Sequence, residues 1–198
     1  MDIIFDLCGV ILEWKPDQVI GRFFDDPEVK KLVKESILGH PDWVELDKGT
    51  LQRGDAIQRA HARTGVPYDE IDQMIAYIPR SLIPVPETVQ LVQNVKEKGH
   101  RLFMLTNIPI FSLEYVENAY PFFTLFDGIV ASCRVNMVKP EPEIYHHLLG
   151  RYGLTNRDTI FIDDSASNIR TAAGLGIPSI LFESPQQCAA ELIRVGCL

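Results

Sequence analysis

Four short stretches of this sequence carry side chains able to do chemistry: "FDLCGV" with Asp6, "LTN" with Thr106 and Asn107, "VKPEP" with Lys139, and "FIDDS" with Asp163 and Asp164. Taken singly, each has an ordinary explanation. Asp, Thr and Asn at the ends of strands cap helices or make turns, and a lysine before a proline is a common solvated loop residue. Taken together they are harder to dismiss. Carboxylates gathered at adjacent strand ends repel one another by several kcal/mol at low effective dielectric, so a metal ion or a lysine must stand beside them. A site of this kind can bind phosphate even in an acidic protein, because the cation supplies the local positive charge.

The elements that must bring these residues together can be read from the apolar runs. "IIF" (3–5), "RLFMLT" (101–106), "GIVAS" (128–132), "TIFID" (159–163) and "SILF" (179–182) have the length and continuous apolar character of strands buried on both faces. Helical patterns lie between the later runs. From Pro86 to Lys98, Val89, Val92 and Val95 share a face and Gly99 ends the segment; from Pro142 to Tyr152, Ile144, Leu148 and Leu149 form a stripe that Gly153 can close. This alternation predicts an α/β fold, a Rossmann-like parallel sheet covered by helices on both faces and joined by right-handed crossovers. In such sheets ligands bind beyond the carboxyl ends of the strands, where all four stretches fall. Residues 14–82 read differently. "PDQVIGRFF", "PEVKKLVKESIL", "TLQRGDAIQRAHARTG" and "YDEIDQMIAYI" are successive helical segments with no strand between them, and the Pro-rich "IPRSLIPVPE" marks the return to the sheet. The expected division is a core of residues 1–13 and 83–198 with an all-helical unit, 14–82, inserted after the first strand.

Bulk composition narrows the classes further. The chain has 198 residues, 46% of them hydrophobic and 23% charged, which allows one full core and a modest insert. No stretch has the length and low charge of a membrane span, and the first residues, with Asp2 and Asp6 among them, lack the pattern of a signal peptide. A cytoplasmic protein is expected. The four cysteines (Cys8, Cys133, Cys188, Cys197) show no CxxC spacing, which argues against a zinc knuckle or redox pair. The net charge of −8, with no basic run beyond "VKKLVK", argues against nucleic acid or an anionic membrane as partner.

In this order, with a helical insert after the first, the four stretches resemble the motifs of the haloacid dehalogenase superfamily, and the resemblance covers essentially the whole chain. It implies a Rossmann-like core with an inserted helical cap, and phosphoryl transfer that depends on Mg²⁺ and passes through an aspartyl-phosphate. Carried over by residue, Asp6 would be the nucleophile. Asp6, Asp163, the Cys8 carbonyl and waters would hold the metal, with Asp164 contributing directly or through water. Thr106, through its hydroxyl, and the Asn107 backbone N–H would hold a phosphate oxygen. Lys139 would neutralise developing charge and hold Asp6 in place, and Asn168 would support the acid pair.

The resemblance departs at Cys8. Common phosphatases of the family carry there an aspartate whose side chain protonates the leaving group and later activates water. Cys8 keeps the backbone carbonyl and loses the acid, which predicts slow or leaving-group-selective turnover. Members similar to sugar-phosphate phosphatases also lack this acid, and point to a small phosphorylated metabolite such as a hexose phosphate. Two other readings follow from the same departure: a metal-independent 2-haloacid dehalogenase, and a binding or scaffold module with little catalysis. In "GHPDWVELDKGT", His40, Trp43 and Glu45 could contact a sugar, although Trp43 at helical spacing with Leu46 is the more usual pattern of a helical core. His146 and His147 lack metal-ligand spacing.

Overall fold

The computed structural model describes residues 1–198. In chain order the elements are β1 (Asp2–Phe5), α1 (Pro16–Phe23), α2 (Pro27–Val33), α3 (Pro41–Lys48), α4 (Arg53–Thr64), α5 (Tyr68–Ser81) and α6 (Pro86–Glu97). Then come β2 (Arg101–Thr106), α7 (Ile110–Ala119), β3 (Gly128–Ala131), the single turn α8 (Ser132–Val135), α9 (Pro142–Tyr152), β4 (Thr159–Asp163), α10 (Ala166–Gly174), β5 (Ser179–Leu181) and α11 (Pro185–Arg194). A π-helical turn, Lys34–Leu38, extends α2.

The five strands form one parallel sheet in the order β3-β2-β1-β4-β5. In the register, Phe5 lies opposite Met104 on one side and Ile162 on the other. The strands read as continuous apolar runs because side chains of both parities are buried, on opposite faces. Ile3, Phe5, Leu102, Met104, Ile160 and Ile162 pack with Leu91, Val92 and Val95 of α6, Leu113 and Val116 of α7, and Leu192 of α11. Ile4, Phe103, Leu105, Val130 and Phe161 pack on the other face with Ile144, Tyr145, Leu148 and Leu149 of α9 and Ala172 of α10. The result is the expected three-layer α/β arrangement.

Helices α1 to α5 have a hydrophobic cluster of their own, containing Val19, Ile20, Ile37, Ile57, Ile71, Met74, Ile75 and Ile78. The chain leaves and re-enters the sheet side by side. Glu13 N–H donates to the Ile83 carbonyl and Val85 N–H to the Ile11 carbonyl, both at 2.9 Å. This short antiparallel contact is the base on which the helical segment stands.

Several local features differ from the sequence expectations. Helix α5 continues through Pro79 to Ser81, where a return segment was expected from residue 78. Ile78 and Pro79 are both buried, and that burial offsets the backbone hydrogen bond lost at the proline. Helix α6 buries Thr88, Leu91, Val92 and Val95, with Val89 only partly covered. Helix α7 carried no start signal in the sequence: its first turn has no acidic residue and Pro109 supplies no side-chain cap. It forms because Leu113 and Val116 are completely buried against the sheet. Ser132, expected to end a strand, opens α8.

Phe161 is fully buried in β4, edge-to-face with Tyr145 at a centroid distance of 5.5 Å. Phe161→Ala is expected to lower the unfolding free energy by about 3–5 kcal/mol, read from urea unfolding with the slope unchanged.

Candidate functional site

The strand order reverses about β1: the chain moves outward through β2 and β3, then returns to place β4 on the other side. A crevice opens beyond the carboxyl end of the central strand in such a sheet. Asp6 stands at that point, its N–H donating to the Ile162 carbonyl at 2.9 Å, so that the β1 and β4 ends are locked in register. Asp163, which ends β4, and Asp164 complete a group with Asp6 in which one oxygen from each carboxylate lies within 4.8 Å of the others. At that spacing and an effective dielectric of about 20, each pair of charges would repel by about 3 kcal/mol.

The Lys139 ammonium stands against two of the three, 2.8 Å from Asp6 Oδ1 and 2.6 Å from Asp163 Oδ2, with 1% of its side chain exposed. Its backbone is held by Asn107, whose side-chain amide donates to the Lys139 carbonyl and whose Oδ1 accepts from the Lys139 N–H, both at 2.8 Å. The Lys139–Pro140 peptide is cis. Asp163 is further fixed by the Ser165 N–H at 2.8 Å and the Asn168 side-chain amide at 2.9 and 3.0 Å. The hydrogen bonds to Asp6 fall on Oδ1, which also accepts from the Leu7 N–H at 2.7 Å. Oδ2 is left free.

The turn after Asp6 is closed by the Leu7 carbonyl, which accepts from Ile11 and Leu12 at 2.9 and 2.8 Å. Gly9 has φ +87°, and a Cβ there would run into the Asp164 carboxylate, so this position needs glycine for conformation and for space alike. Burial pushes Asp6 up to about 7, with Asp163 and Asp164 adding and Lys139 opposing. Asp164 is also raised, by burial and then by Asp163. Burial works against the Lys139 charge, but Asp6 and Asp163 outweigh it and its pKa is raised. The Cys8 thiol is driven well above its usual value, chiefly by burial and then by Asp6.

A cavity of about 180 Å³ opens above this group, lined by Asp6, Cys8, Asn107, Lys139, Asp164 and Asn168 from the sheet end. Trp14, Trp43, Asp47, Ile78 and Leu82 line it from the helical side. The structure thus brings together Asp6, Cys8, Asn107, Lys139, Asp163 and Asp164. The Thr106 hydroxyl, at the end of β2, is buried with no hydrogen-bond partner, as is Ser112 in α7. Trp43 both lines the cavity and packs on the helical core. His40 is not at the site: its Nδ1 caps α3 by accepting from the Asp42 N–H at 3.1 Å. Glu45 is exposed and bonds to Thr50.

Two features were missed by sequence reasoning. The Asn107 side chain, and not only its backbone, shapes the site by clasping Lys139. Asp47 enters the cavity from α3, and its signal was present: it lies four residues after Trp43, hence on the same helix face.

The donor set fits a hard divalent cation. The three carboxylates offer oxygen alone, and Lys139 faces Asp6 and Asp163 but leaves Asp164 without an ion-pair partner.

A family model described as haloacid dehalogenase-like hydrolase matches residues 3–176. Among curated proteins, the chain is 28% identical over 195 residues to the sesquiterpene phosphatase astK of Aspergillus oryzae, covering 98% of this chain and 96% of that one. It is 23% identical to the phosphoglycolate phosphatase of Pasteurella multocida, covering 90% and 84%. Among solved structures, a HAD family enzyme of Bacteroides thetaiotaomicron, in complex with magnesium and inorganic phosphate, superposes with a TM-score of 0.70 at 22% identity, over 92% of this chain and 93% of that one.

Because the folded state holds Asp6 above its unfolded value of 3.8, the native chain binds more protons than the unfolded one between about pH 4 and pH 7. This group therefore makes stability fall as pH rises through that window, in protein stripped of metal by a chelator. Asp6→Asn removes the contribution: the difference between the variant's urea midpoint and that of wild type should shift in the variant's favour from about pH 4 to pH 7 and level off above it.

Proposed function

Since this chain belongs to the haloacid dehalogenase-like hydrolases, we propose that it is a magnesium-dependent phosphatase acting on a small phosphomonoester through an aspartyl-phosphate on Asp6. The observation that carries this reading is the close trio of buried Asp6, buried Asp163 and exposed Asp164, with Lys139 between the two buried members and Asp6 Oδ2 unencumbered.

Asp6, Asp163, Asp164 and the Cys8 carbonyl would hold Mg²⁺, which when bound offsets the charge of the phosphate dianion and lets an anionic carboxylate approach it. The remaining work falls to this chain's own groups. Lys139 and the Leu7 N–H fix Asp6 Oδ1, so Oδ2 is the oxygen aimed at phosphorus in line with the leaving group. The Lys139 ammonium also lies where negative charge develops on the phosphoryl oxygens. The unpartnered Thr106 hydroxyl and the Asn107 backbone N–H serve a non-bridging oxygen. Asn107 has a second task, since its side chain fixes the Lys139 backbone.

Residues 14–82 act as a cap on a core of residues 1–13 and 83–198. The separate hydrophobic cluster of the helices and the paired crossing strands at Glu13–Ile83 support this division. A cap over the site keeps bulk water from the reactive acyl phosphate. The substrate is small and phosphorylated. Trp14, Trp43, Ile78, Leu82, Ile108 and Pro109 give the cavity apolar walls. A hexose phosphate would find Trp43 to stack on, but neither His40 nor Glu45 to meet its hydroxyls, so the walls favour a compact leaving group with an apolar face. Displacement of halide and binding without turnover are less well supported, because neither needs a third carboxylate kept against like charge.

Purified protein should hydrolyse an activated aryl phosphate with Mg²⁺ and fall to background with a chelator or with Asp6→Asn. Lys139→Met should reduce kcat by about 10² to 10³-fold, the loss typical of removing one electrostatic stabiliser. Equal rates for wild type and Asp6→Asn would overturn the phosphatase reading.

A further inference from the structure

The site as described lacks a group to move protons. Asp6 is committed to phosphorus, and Lys139 is held as a cation by two carboxylates. The Cys8 thiol is poorly disposed to ionise in its buried, anionic surroundings. An alkyl leaving group nevertheless needs a proton, and the water that cleaves an aspartyl-phosphate must lose one.

We propose that Asp47, carried by the helical segment, is the general acid and base of this reaction. The inference rests on the phosphatase reading above.

Three observations place it there. Asp47 lines the same cavity as Asp6, Cys8 and Lys139, on the side opposite the sheet, and is not one of the close trio. Its carboxylate, half-buried and open to the cavity, has neither a hydrogen-bond nor an ion-pair partner in the protein, so it is free to meet a ligand there. And the end of α3 that bears it is latched to the core. The Ser132 hydroxyl donates to the Asp47 carbonyl at 2.5 Å and accepts from the Ile108 N–H at 3.0 Å, which ties the helix to the loop after β2. The Asn136 side chain donates to the Lys48 carbonyl at 2.8 Å, and the Lys48 ammonium pairs with Glu141 at 3.3 Å. Gly49, at φ +75°, sits so close to the Cys133 backbone that a Cβ would overlap it. The side chain of Asp47 is thus presented to the site by a fixed backbone.

The charged and titratable groups around it suit the role. Burial pushes Asp47 up to about 8, Asp6 adds to this and Lys139 opposes it, so both protonation states are accessible near neutrality. In the first step Asp6 Oδ2 bonds to phosphorus, the bond from phosphorus to the leaving oxygen breaks, and the Asp47 proton passes to that oxygen to give the alcohol. In the second, the Asp47 carboxylate takes a proton from water as the water oxygen bonds to phosphorus. The bond to Asp6 breaks, and inorganic phosphate leaves with Asp47 protonated again.

The test compares wild type with Asp47→Asn on an alkyl phosphate and on an activated aryl phosphate, with intact-mass measurement of phosphoryl bound to the protein. On the alkyl phosphate kcat should fall about 10² to 10⁴-fold with little change in KM. On the aryl phosphate, whose leaving group needs no proton, one equivalent of aryl alcohol should appear in a burst, and phosphorylated protein should accumulate because its hydrolysis lacks a base. Asp47→Glu, which keeps the acid, should recover alkyl phosphate turnover, and Asp47→Ser gives the same reading as the Asn variant if that variant unfolds. Turnover that needs Asp6 but is unchanged by Asp47→Asn, or that falls equally on both substrates with no phosphoryl adduct, overturns the role of Asp47 alone. Wild type no more active than Asp6→Asn overturns the phosphatase reading and this one with it.

Discussion

The structure depends on one buried ammonium. Lys139 is the cation that lets Asp6 and Asp163 occupy neighbouring strand ends with almost no exposure to water. Without it, two carboxylates would be buried side by side, and removing one partner of a buried ion pair typically costs about 3–5 kcal/mol. Replacing the whole group with apolar residues would be cheaper for stability. What such a group provides in place of stability is charge held in a fixed position. Much of the surroundings exists to hold this lysine: Asn107 clasps its backbone from the β2 end, and the Phe161 ring lies 5.7 Å beneath its Nζ.

The sheet supplies the geometry this ion pair requires. Its parallel strands end on one edge, and the reversal of strand order about β1 opens the crevice between β2 and β4 where Asp6 and Asp163 meet. The burial of both faces makes the strand ends rigid, because each strand residue is packed from above or below. The glycine after Cys8 then turns the chain away while leaving space for the Asp164 carboxylate.

The helical segment adds what the sheet edge cannot. It closes the cavity with apolar side chains and delivers one further carboxylate, Asp47, to the side facing the sheet. The two halves meet at a two-stranded base and at the latch between the end of α3 and Ser132. In the proposed reaction, a site divided in this way would separate the handling of phosphate, on the core, from the choice of leaving group and the movement of protons, on the helices.

Much of this was legible in the sequence, since apolar periodicity and strand-end residues are local properties. The five strands, the helical stretch between residues 14 and 82 and the gathering of Asp6, Asn107, Lys139, Asp163 and Asp164 all follow from patterns within a few residues of each other plus the rules of parallel sheets. Tertiary contact decided the rest. Helix α7 has weak local signals and is held by burial against the sheet. The Asn107 side chain finds the Lys139 backbone across 32 positions, and the Ser132 hydroxyl finds the Asp47 carbonyl across 85. His40 and Asp47 lie on the same short stretch, yet one caps the helix and the other enters the cavity. Local pattern fixes which face of a helix a residue occupies, but only the packing of that helix against the core determines what the face meets.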